Sequence, residues 1–402
     1  MKTIKYIPVI MALLLAGCNK YDIKPEQANG FIKFYTNDAT KPVTAFDVKE
    51  TADGGFVAVG TKEDANGFND IYLIKTDKYG NEESWSPVIL GGENDDVGTS
   101  LQVVSDGYVI LGYSKHPDST NYDLYLVKYD LQGNPVWETR RKFEDYDVSS
   151  SNLIVTSSGS FLASGVRHRG TGSQQYLLAE FGMNGEYVGN ELITPANPID
   201  NIYLIETQDF YVICGTELAA GKNQINIIPC TKDFLNPTGG GYLKASGTLT
   251  GTCIQELSDG NLIISGTVQN ITNGLNEIYL NKIAINSTSG GLEEIIGWDG
   301  YQRFAEPENA GSLSGNSIRI VNDNSYAIIG TRTITGNDDI ILLFADASGL
   351  PVSRIIFGDD GFQQGISLEL TGSDGGLILV GNNGAEDYSM MALVKTDAEG
   401  KL

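Results

Sequence analysis

The residues best suited to contact a ligand form one short cluster between positions 298 and 304. Trp298, Tyr301 and Phe304 supply flat aromatic surfaces, and Arg303 adds a cation among them. Aromatic rings with polar edges suit sugar rings or a protein partner. The same rings could instead tuck under a loop and plug a central channel. We predict a ligand-binding site here, and both interpretations stay open at this stage.

A second candidate contact lies at Arg167 and His168, which Arg169 follows. These three residues form a positive spot on an acidic chain. An imidazole in this setting could contact a polar or anionic ligand, or act as a general base. We expect His168 and the other histidine, His116, in loops between strands, and the alternative to a ligand contact is that both are simply exposed loop residues. We include Arg167 and His168 among the predicted ligand-binding residues.

The acidic segments do not match a metal site or a catalytic site. Carboxylates recur in residues 91–96, 144–147 and 358–361, and such groups could hold a hard cation such as calcium. None of these segments has the spaced Asp-x-Asp-x-Asp-Gly pattern, and Asp and Asn in turns explain them equally well. No serine stands in a nucleophile-elbow context. We therefore predict no catalytic residue, no metal and no cofactor.

The first residues of the chain have the pattern of a signal peptide. Lys2 and Lys5 precede a short apolar run over residues 7–15, which is too short to span a bilayer. The following Leu15-Ala-Gly-Cys18 resembles the bacterial lipobox, and this resemblance implies cleavage before Cys18 and acylation of its side chain. Residues 18–30 would then be the acylated cysteine and a polar tether. Asn19 points to an outer-membrane lipoprotein, periplasmic or surface-exposed; an ordinary secretory signal is the alternative.

A sequence repeat organises the rest of the chain. Each repeat contains an Asp-Gly turn, an apolar run that ends in Gly, a loop, and a second apolar run. The terminal glycines are Gly60, Gly112, Gly165, Gly215, Gly266, Gly330 and Gly381, and five of the six intervals are 50 to 53 residues long. The continuous apolar runs indicate strands that are buried on both faces. Repeats of this length must stack on one another to bury those faces.

The repeat predicts an all-β fold, a seven-bladed β-propeller of four-stranded blades over residues 31–402. The last repeat ends after its third strand, at residue 402. Residues 31–37 resemble the outer strands of other repeats, so we expect them to supply the missing strand and close the ring. An open solenoid and two stacked sandwiches are the alternatives. The one long interval, 64 residues, places an insertion around residues 297–308, expected as a loop before the first strand of blade six.

Composition limits the partners of the protein. The formal net charge of −24 disfavours nucleic acid, because two polyanions repel each other. After Cys18, three cysteines remain at positions 214, 230 and 253, so at most one disulfide can form. We expect all three to behave as small buried hydrophobic residues.

The repeats resemble those of a known group. The stretches Asp53-Gly-Gly-Phe-Val-Ala-Val-Gly60 and Asp374-Gly-Gly-Leu-Ile-Leu-Val-Gly381 are similar to repeats of uncharacterised seven-bladed β-propeller lipoproteins of Bacteroidota. The resemblance implies the fold and a location in the cell envelope, and it implies no activity. Two functions remain, both at the top face of the propeller, where the loops between second and third strands lie. One is a lipid-anchored binding or scaffold protein whose ligand is a glycan or an envelope protein. The other is a polysaccharide hydrolase or lyase with acid and base residues on that face.

Overall fold

The computed structural model describes residues 30–36, 40–115, 121–170, 172–233, 236–243, 245–295, 298, 300–321, 325–358, 360–385 and 388–402. These residues form an all-β fold of antiparallel strands, as predicted, with one short 3-10 turn at Pro307–Asn309 and no α-helix in the described part. Within the same residues, no helix is long and apolar enough to cross a membrane. Cys18 and His116 lie outside the described residues.

The first half of the chain begins with one edge strand and continues with three four-stranded units. Strand β1 comprises Phe31–Tyr35. Unit 1 contains β2 (Val43–Glu50), β3 (Phe56–Glu63), β4 (Asn69–Thr76) and β5 (Val88–Leu90). Unit 2 contains β6 (Asp96–Val104), β7 (Gly107–Lys115), β8 (Tyr122–Tyr129) and β9 (Pro135–Arg141). Unit 3 contains β10 (Asp147–Val155), β11 (Ser160–Arg169), β12 (Ser173–Gly182) and β13 (Tyr187–Ile193).

The second half repeats this arrangement with variations. Unit 4 contains β14 (Ile199–Glu206), β15 (Phe210–Ala219), β16 (Lys222–Thr231) and β17 (Gly241–Tyr242). Unit 5 contains β18 (Leu249–Glu256), β19 (Leu262–Gln269), β20 (Asn276–Ile285), β21 (Leu292–Glu294) and β22 (Tyr301–Phe304). Unit 6 contains β23 (Ser312–Val321), β24 (Ser325–Ile334), β25 (Asn337–Ala345) and β26 (Pro351–Phe357). Strands β27 (Phe362–Leu370), β28 (Leu377–Ala385) and β29 (Tyr388–Thr396) form unit 7.

The edge strand β1 pairs with β29, the last strand of the chain. Phe31 lies opposite Lys395 and Tyr35 lies opposite Met391, in antiparallel register. Units 6 and 7 are joined by one parallel pair, Asp338 with Phe362. The fourth place of unit 7 is therefore occupied by residues from the opposite end of the described chain.

Apolar clusters lie between the units and hold them together. Six clusters each combine residues of two units that follow one another in the chain. A seventh combines Val48 and Tyr72 of unit 1 with Ile378 and Leu393 of unit 7. Burial of each large apolar side chain contributes roughly 1.5–3 kcal/mol, so these interfaces dominate the stability of the fold.

The terminal glycines of the repeat are required by close backbone contacts. A Cβ atom on Gly112 would overlap the carbonyl oxygen of Val97, and one on Gly330 would overlap that of Ser314. In each case the first strand bulges beside the glycine, which brings its backbone against the second strand. The regular glycine spacing therefore marks the points where the first and second strands meet.

Two sequence expectations about local structure are wrong. His168 was expected in a loop, but it belongs to β11, where it pairs with Asp147 and Gln174. Residues 301–304 were expected in a loop before unit 6, but they form β22, an outer strand that pairs with β20. In both places the hydrogen-bonded ladder continues further than the apolar pattern of the sequence.

Candidate functional site

A groove of about 530 Å³ opens between the outer parts of units 4 and 5. We call it the rim groove. Its lining includes two aromatic side chains of the predicted cluster, a tyrosine of unit 4, two carboxylates and one ammonium group: Trp298, Tyr301, Tyr242, Glu293, Glu294 and Lys282. The volume lies within the range of small-molecule sites, roughly 300–1,000 Å³.

Shortened outer strands create the rim groove. The outer strand of unit 4, β17, pairs only with Asn226 and Ile227. In unit 5 the outer strand is split, because β22 pairs along β20 up to Asn281 and β21 begins opposite Ile283. Among the described residues, Lys282 between these segments has no outer-strand partner, and it lines the groove. The outer strands β9, β13 and β26 of units 2, 3 and 6 each extend over seven residues.

Trp298 is a wall of the groove and a packing residue at the same time. It is 9% exposed and belongs to the apolar cluster between units 5 and 6. Its ring covers Gly349 of unit 6, as the rings of Trp85 and Trp137 cover Gly133 and Gly185 in the units that follow them. The indole Nε1 is buried and has no hydrogen-bond partner among the described residues. Because this atom is buried beneath its neighbours, a ligand in the groove would contact other parts of the Trp298 ring.

The other three residues of the cluster differ in their surroundings. Tyr301 is half-buried, lines the groove and lies with its ring 5.0 Å from that of Tyr279. Phe304 is 5% exposed and packs inside the cluster between units 5 and 6. Arg303 is exposed, and its Nε lies 3.4 Å from a carboxylate oxygen of Glu277. Trp298 and Tyr301 thus line the groove, whereas Phe304 belongs to the interior.

The segment after the cluster is fixed to unit 6 by ion pairs. Glu306 is buried, and its two carboxylate oxygens lie 2.9 Å from Arg332 and 3.0 Å from Arg354. Arg332 also contacts Asp339 at 2.7 Å. Phe304 in the core and Glu306 in this network therefore both fix the C-terminal end of β22.

A buried carboxylate lies behind Tyr242. Glu217 is fully buried, and it accepts hydrogen bonds from the hydroxyls of Tyr242 (2.5 Å) and Tyr176 (2.8 Å). The side-chain amide of Asn226 donates a third bond at 2.9 Å, and that of Asn197 approaches at 3.4 Å. Burial and the hydrogen bond to Glu217 raise the pKa of Tyr242, so its hydroxyl stays protonated at neutral pH.

The sequence analysis did not identify Glu217 or Tyr242. Glu217 stands two residues after Gly215, where other repeats carry Lys62, Ser114 or Arg167, so a polar residue at this position is not unusual in the repeat. Tyr242 follows three glycines in the most divergent repeat. A search for repeats whose outer strand is too short would have indicated this region.

Arg167 and His168 lie on unit 3 and are not close to the rim groove lining. The guanidinium of Arg167 stacks on the ring of Tyr146, 4.2 Å from its centre, and donates to Oε1 of Gln175 at 2.9 Å. His168 is half-buried at the end of β11. The structure therefore does not combine the cluster over residues 298–304 and the pair of Arg167 and His168 into one site. A contact through Arg167 and His168 stays a prediction.

A polar cavity of about 230 Å³ lies where the first strands of all seven units meet. Asp47 and Lys49 line it, and the ammonium of Lys49 lies 3.5 Å from a carboxylate oxygen of Asp47 and 2.8 Å from one of Glu369. Arg319 also contacts Glu369, at 3.1 Å. Burial alone would raise the pKa of Glu369, but Arg319 and Lys49 outweigh it and lower the pKa to about 2. Glu369 is therefore ionised at neutral pH and is unsuited to act as a general acid.

The remaining candidate groups have structural roles. No cluster of three metal-ligating side chains occurs among the described residues. Cys214, Cys230 and Cys253 are free and buried, which confirms the prediction made for them. Burial raises the pKa of the Cys230 thiol to about 12, so it does not supply a reactive thiolate at neutral pH.

Comparisons with known proteins identify the class of fold but no family. No protein-family profile and no curated protein matches the chain. Among solved structures, an ulvan lyase bound to a GlcA–Rha3S chain is similar over 91% of this chain and 96% of its own, with a TM-score of 0.60 and 8% identity. A Lactobacillus plantarum protein gives a TM-score of 0.51 at 9% identity, over 85% of this chain and 88% of its own. A Hadza microbial sialidase gives a TM-score of 0.50 at 11% identity, over 83% of this chain and 74% of its own. The chain has a β-propeller-like fold, and identities this low carry no information about activity.

Proposed function

We propose that this protein is a lipid-anchored binding protein of the cell envelope, built as a closed seven-bladed propeller whose rim groove holds a carbohydrate chain. Three lines of support belong to different parts of the molecule: the arrangement of the units, the lining of the groove and the first residues of the chain.

The arrangement of the units supports a closed ring of seven blades. Each of the seven units has four strand positions, and the pairing of β1 with β29 fills the last of them. The seventh apolar cluster lies between units 1 and 7, as it would in a ring. An open solenoid would leave these two surfaces in water, which opposes the hydrophobic effect.

One observation carries the carbohydrate proposal: two aromatic residues, Trp298 and Tyr301, line one groove together with Glu293 and Glu294. Sugar rings combine apolar faces with hydroxyl groups at their edges. Aromatic rings pack against the faces, while the carboxylates of Glu293 and Glu294 accept hydrogen bonds from the hydroxyls. A protein partner would favour a broader apolar surface than this groove offers.

The proposed location rests on the sequence of residues 1–18. Cleavage before Cys18 and acylation of this cysteine would hold the protein on a membrane, with residues 19–30 as the tether. We propose the outer membrane, because Asn19 follows the cysteine. Palmitate labelling of the full chain, compared with Cys18→Ser, tests this part of the proposal by itself.

The test of the groove is binding by the full-length protein to a panel of polysaccharides, measured by affinity electrophoresis. The key variant is Trp298→Phe, and Trp137→Phe is its matched control because both rings cover a glycine of the next unit. We expect binding to weaken about tenfold in Trp298→Phe only, since the smaller ring loses about 1.4 kcal/mol of aromatic contact with the sugar. Thermal unfolding of the two variants should be alike.

Two results would contradict the carbohydrate proposal. Absence of retardation on every polymer is the first. The second is equal retardation of the wild type and Trp298→Phe, because a chain held elsewhere on the surface would not respond to the smaller ring at this position.

A second candidate is a polysaccharide lyase or hydrolase, and the pair of Tyr242 and Glu217 favours it. Tyr242 lines the groove, and its hydroxyl donates a hydrogen bond to the buried carboxylate of Glu217. In a reaction, Glu217 would accept this proton while the Tyr242 oxygen takes a proton from the substrate. The likeness to an ulvan lyase extends to the fold alone. The enzyme needs a group that completes the acid and base pair, and Glu369 does not supply it.

Product analysis separates the two candidates. If the protein is an enzyme, incubation with a bound polymer yields shorter chains, and Tyr242→Phe abolishes cleavage while binding persists. If it is a binding protein, the polymer stays intact and Tyr242→Phe changes the affinity only slightly, because the aromatic ring remains.

A further inference from the structure

The charges around the rim groove restrict the kind of carbohydrate that it can hold. Glu293 and Glu294 are both exposed on β21 and both line the groove. Glu293 accepts a hydrogen bond from the side-chain amide of Asn286 at 2.8 Å, a contact that fixes the carboxylate without neutralising it. Successive residues of a strand point to opposite faces, so the two carboxylates do not both point into the groove, but both residues border it and make its edge negative.

The cations near these carboxylates are engaged elsewhere. The ammonium of Lys282 lies 3.1 Å from a carboxylate oxygen of Asp259, and the lysine side chain is only 12% exposed. Arg303 on β22 is paired with Glu277. Among the described residues that line the groove, no other lysine or arginine is present. The net charge of the lining is thus negative, within a protein whose total formal charge is −24.

We propose that the rim groove selects uncharged or amine-bearing sugar chains and rejects carboxylated and sulfated ones. This inference rests on the proposed function and adds the substrate class. An anionic sugar beside Glu293 and Glu294 would be repelled at short range, where salt screens little. A neutral sugar meets no such penalty, and its hydroxyls donate to the same carboxylates. An amino sugar would gain an attraction that weakens as salt is added.

The test compares four polymers with the full-length protein at low salt: dextran and xylan as neutral chains, chitosan as the amine-bearing chain, and polygalacturonate as the anionic chain. We expect retention on at least one of the first three and none on polygalacturonate. The double variant Glu293→Lys/Glu294→Lys should retain polygalacturonate at least about tenfold more strongly than the wild type. Glu186→Lys/Glu399→Lys is the control, since it changes the net charge equally at exposed turns away from the groove.

The outcomes distinguish the inference from the proposed function. If the wild type binds polygalacturonate as tightly as the neutral chains, and Trp298→Phe weakens both, the charge selection is wrong while the groove remains a carbohydrate site. If the retention of polygalacturonate increases equally in both double variants, the effect comes from net charge and the inference is again wrong. If no polymer is retained by the wild type, the proposed function itself fails.

Discussion

Individual carboxylates mostly build turns in this protein. In four units the Asp of the Asp-Gly turn contacts a lysine of the third strand, for example Asp53 with Lys75 at 2.9 Å and Asp374 with Lys395 at 2.8 Å. The aspartates that follow these lysines accept backbone hydrogen bonds within the next turn, as Asp77 does from Tyr79 and Asn81. Much of the acidic composition therefore serves the repeat and leaves few carboxylates for chemistry.

Asp70 is an exception and gives a prediction about pH. Burial, together with the nearby charges of Asp64 and Asp96, raises the pKa of Asp70 to about 6. The folded state therefore binds a proton more tightly than the unfolded chain, and ionisation above pH 6 destabilises the fold. We expect Asp70→Asn to raise the melting temperature at pH 8 and to have little effect at pH 4, as measured by thermal unfolding at both values.

Asp106→Asn is a control of opposite sign for this prediction. The hydrogen bond from Lys128 lowers the pKa of Asp106, so its carboxylate stabilises the fold above its unfolded pKa. Its replacement should lower the melting temperature at pH 8, and the loss should disappear at low pH. If Asp70→Asn behaved in the same way, the raised pKa of Asp70 would be contradicted.

At the level of single residues, the sequence predicted which residues belong to the candidate site better than it predicted what those residues pack against. Trp298 and Tyr301 were identified as candidates because an insertion carries them, and both line the rim groove. The packing of Trp298 over Gly349 depends on a contact across more than 50 residues that no local pattern records. Glu217 was missed because its four polar neighbours come from three different strands and a loop.

The first strands carry a second kind of constraint, the ion pairs in the central cavity. Glu369 of unit 7 contacts Lys49 of unit 1 and Arg319 of unit 6, so three strands are joined by one carboxylate. Since its pKa is lowered to about 2 from an ordinary 4.5, this carboxylate stabilises the fold above pH 4.5 and the contribution is lost as the pH falls towards 2.

Replacement of this carboxylate should destabilise the protein strongly. We expect Glu369→Gln to lower the free energy of unfolding at pH 7 by at least about 2 kcal/mol, because Arg319 and Lys49 lose their partner in a poorly solvated site. Urea unfolding at pH 7 and pH 3 measures the effect, and the difference from the wild type should shrink at pH 3.

The matched control is Glu63→Gln, which removes an ion pair with Lys41 that is 2.7 Å long but lies nearer the surface. Its cost should stay below about 1 kcal/mol. Equal losses of unfolding free energy in the two variants would mean that the ion pairs of Glu369 contribute no more than a surface ion pair. The proposed role of Glu369 in joining units 1, 6 and 7 would then be wrong.

At the level of strands, the apolar pattern predicted the second and third strands of each unit well, because these are buried on both faces. The outer strands were harder to place. They are short, partly exposed and variable in composition, so β17 and β22 have no clear periodicity. Residues 301–304 were misassigned for this reason, whereas His168 was misassigned because the end of β11 depends on its pairing with β10 and β12.

The whole molecule raises the question of ring closure, and a circular permutant answers it. Gly30 and Leu402 lie so close that a Cβ atom on Gly30 would overlap the backbone of Leu402. A short glycine linker can therefore join residue 402 to residue 30. The permuted chain would begin at Tyr187, with β13 as its first strand. β13 would then complete unit 3 from the start of the chain, as β1 completes unit 7 in the natural order.

In a closed ring every unit is equivalent as a place to divide the chain. The permutant that begins at Tyr187 should then fold with the same far-ultraviolet circular dichroism and melt within about 4 °C of the natural chain. A second permutant, divided between Ala220 and Gly221, separates the central strands β15 and β16 of unit 4 and should be much less stable. If the first permutant were as unstable as the second, the surfaces of units 1 and 7 would not be a regular interface between blades. If it matched the natural chain, the apolar cluster between those units would be equivalent to the other six, as a seven-bladed ring requires.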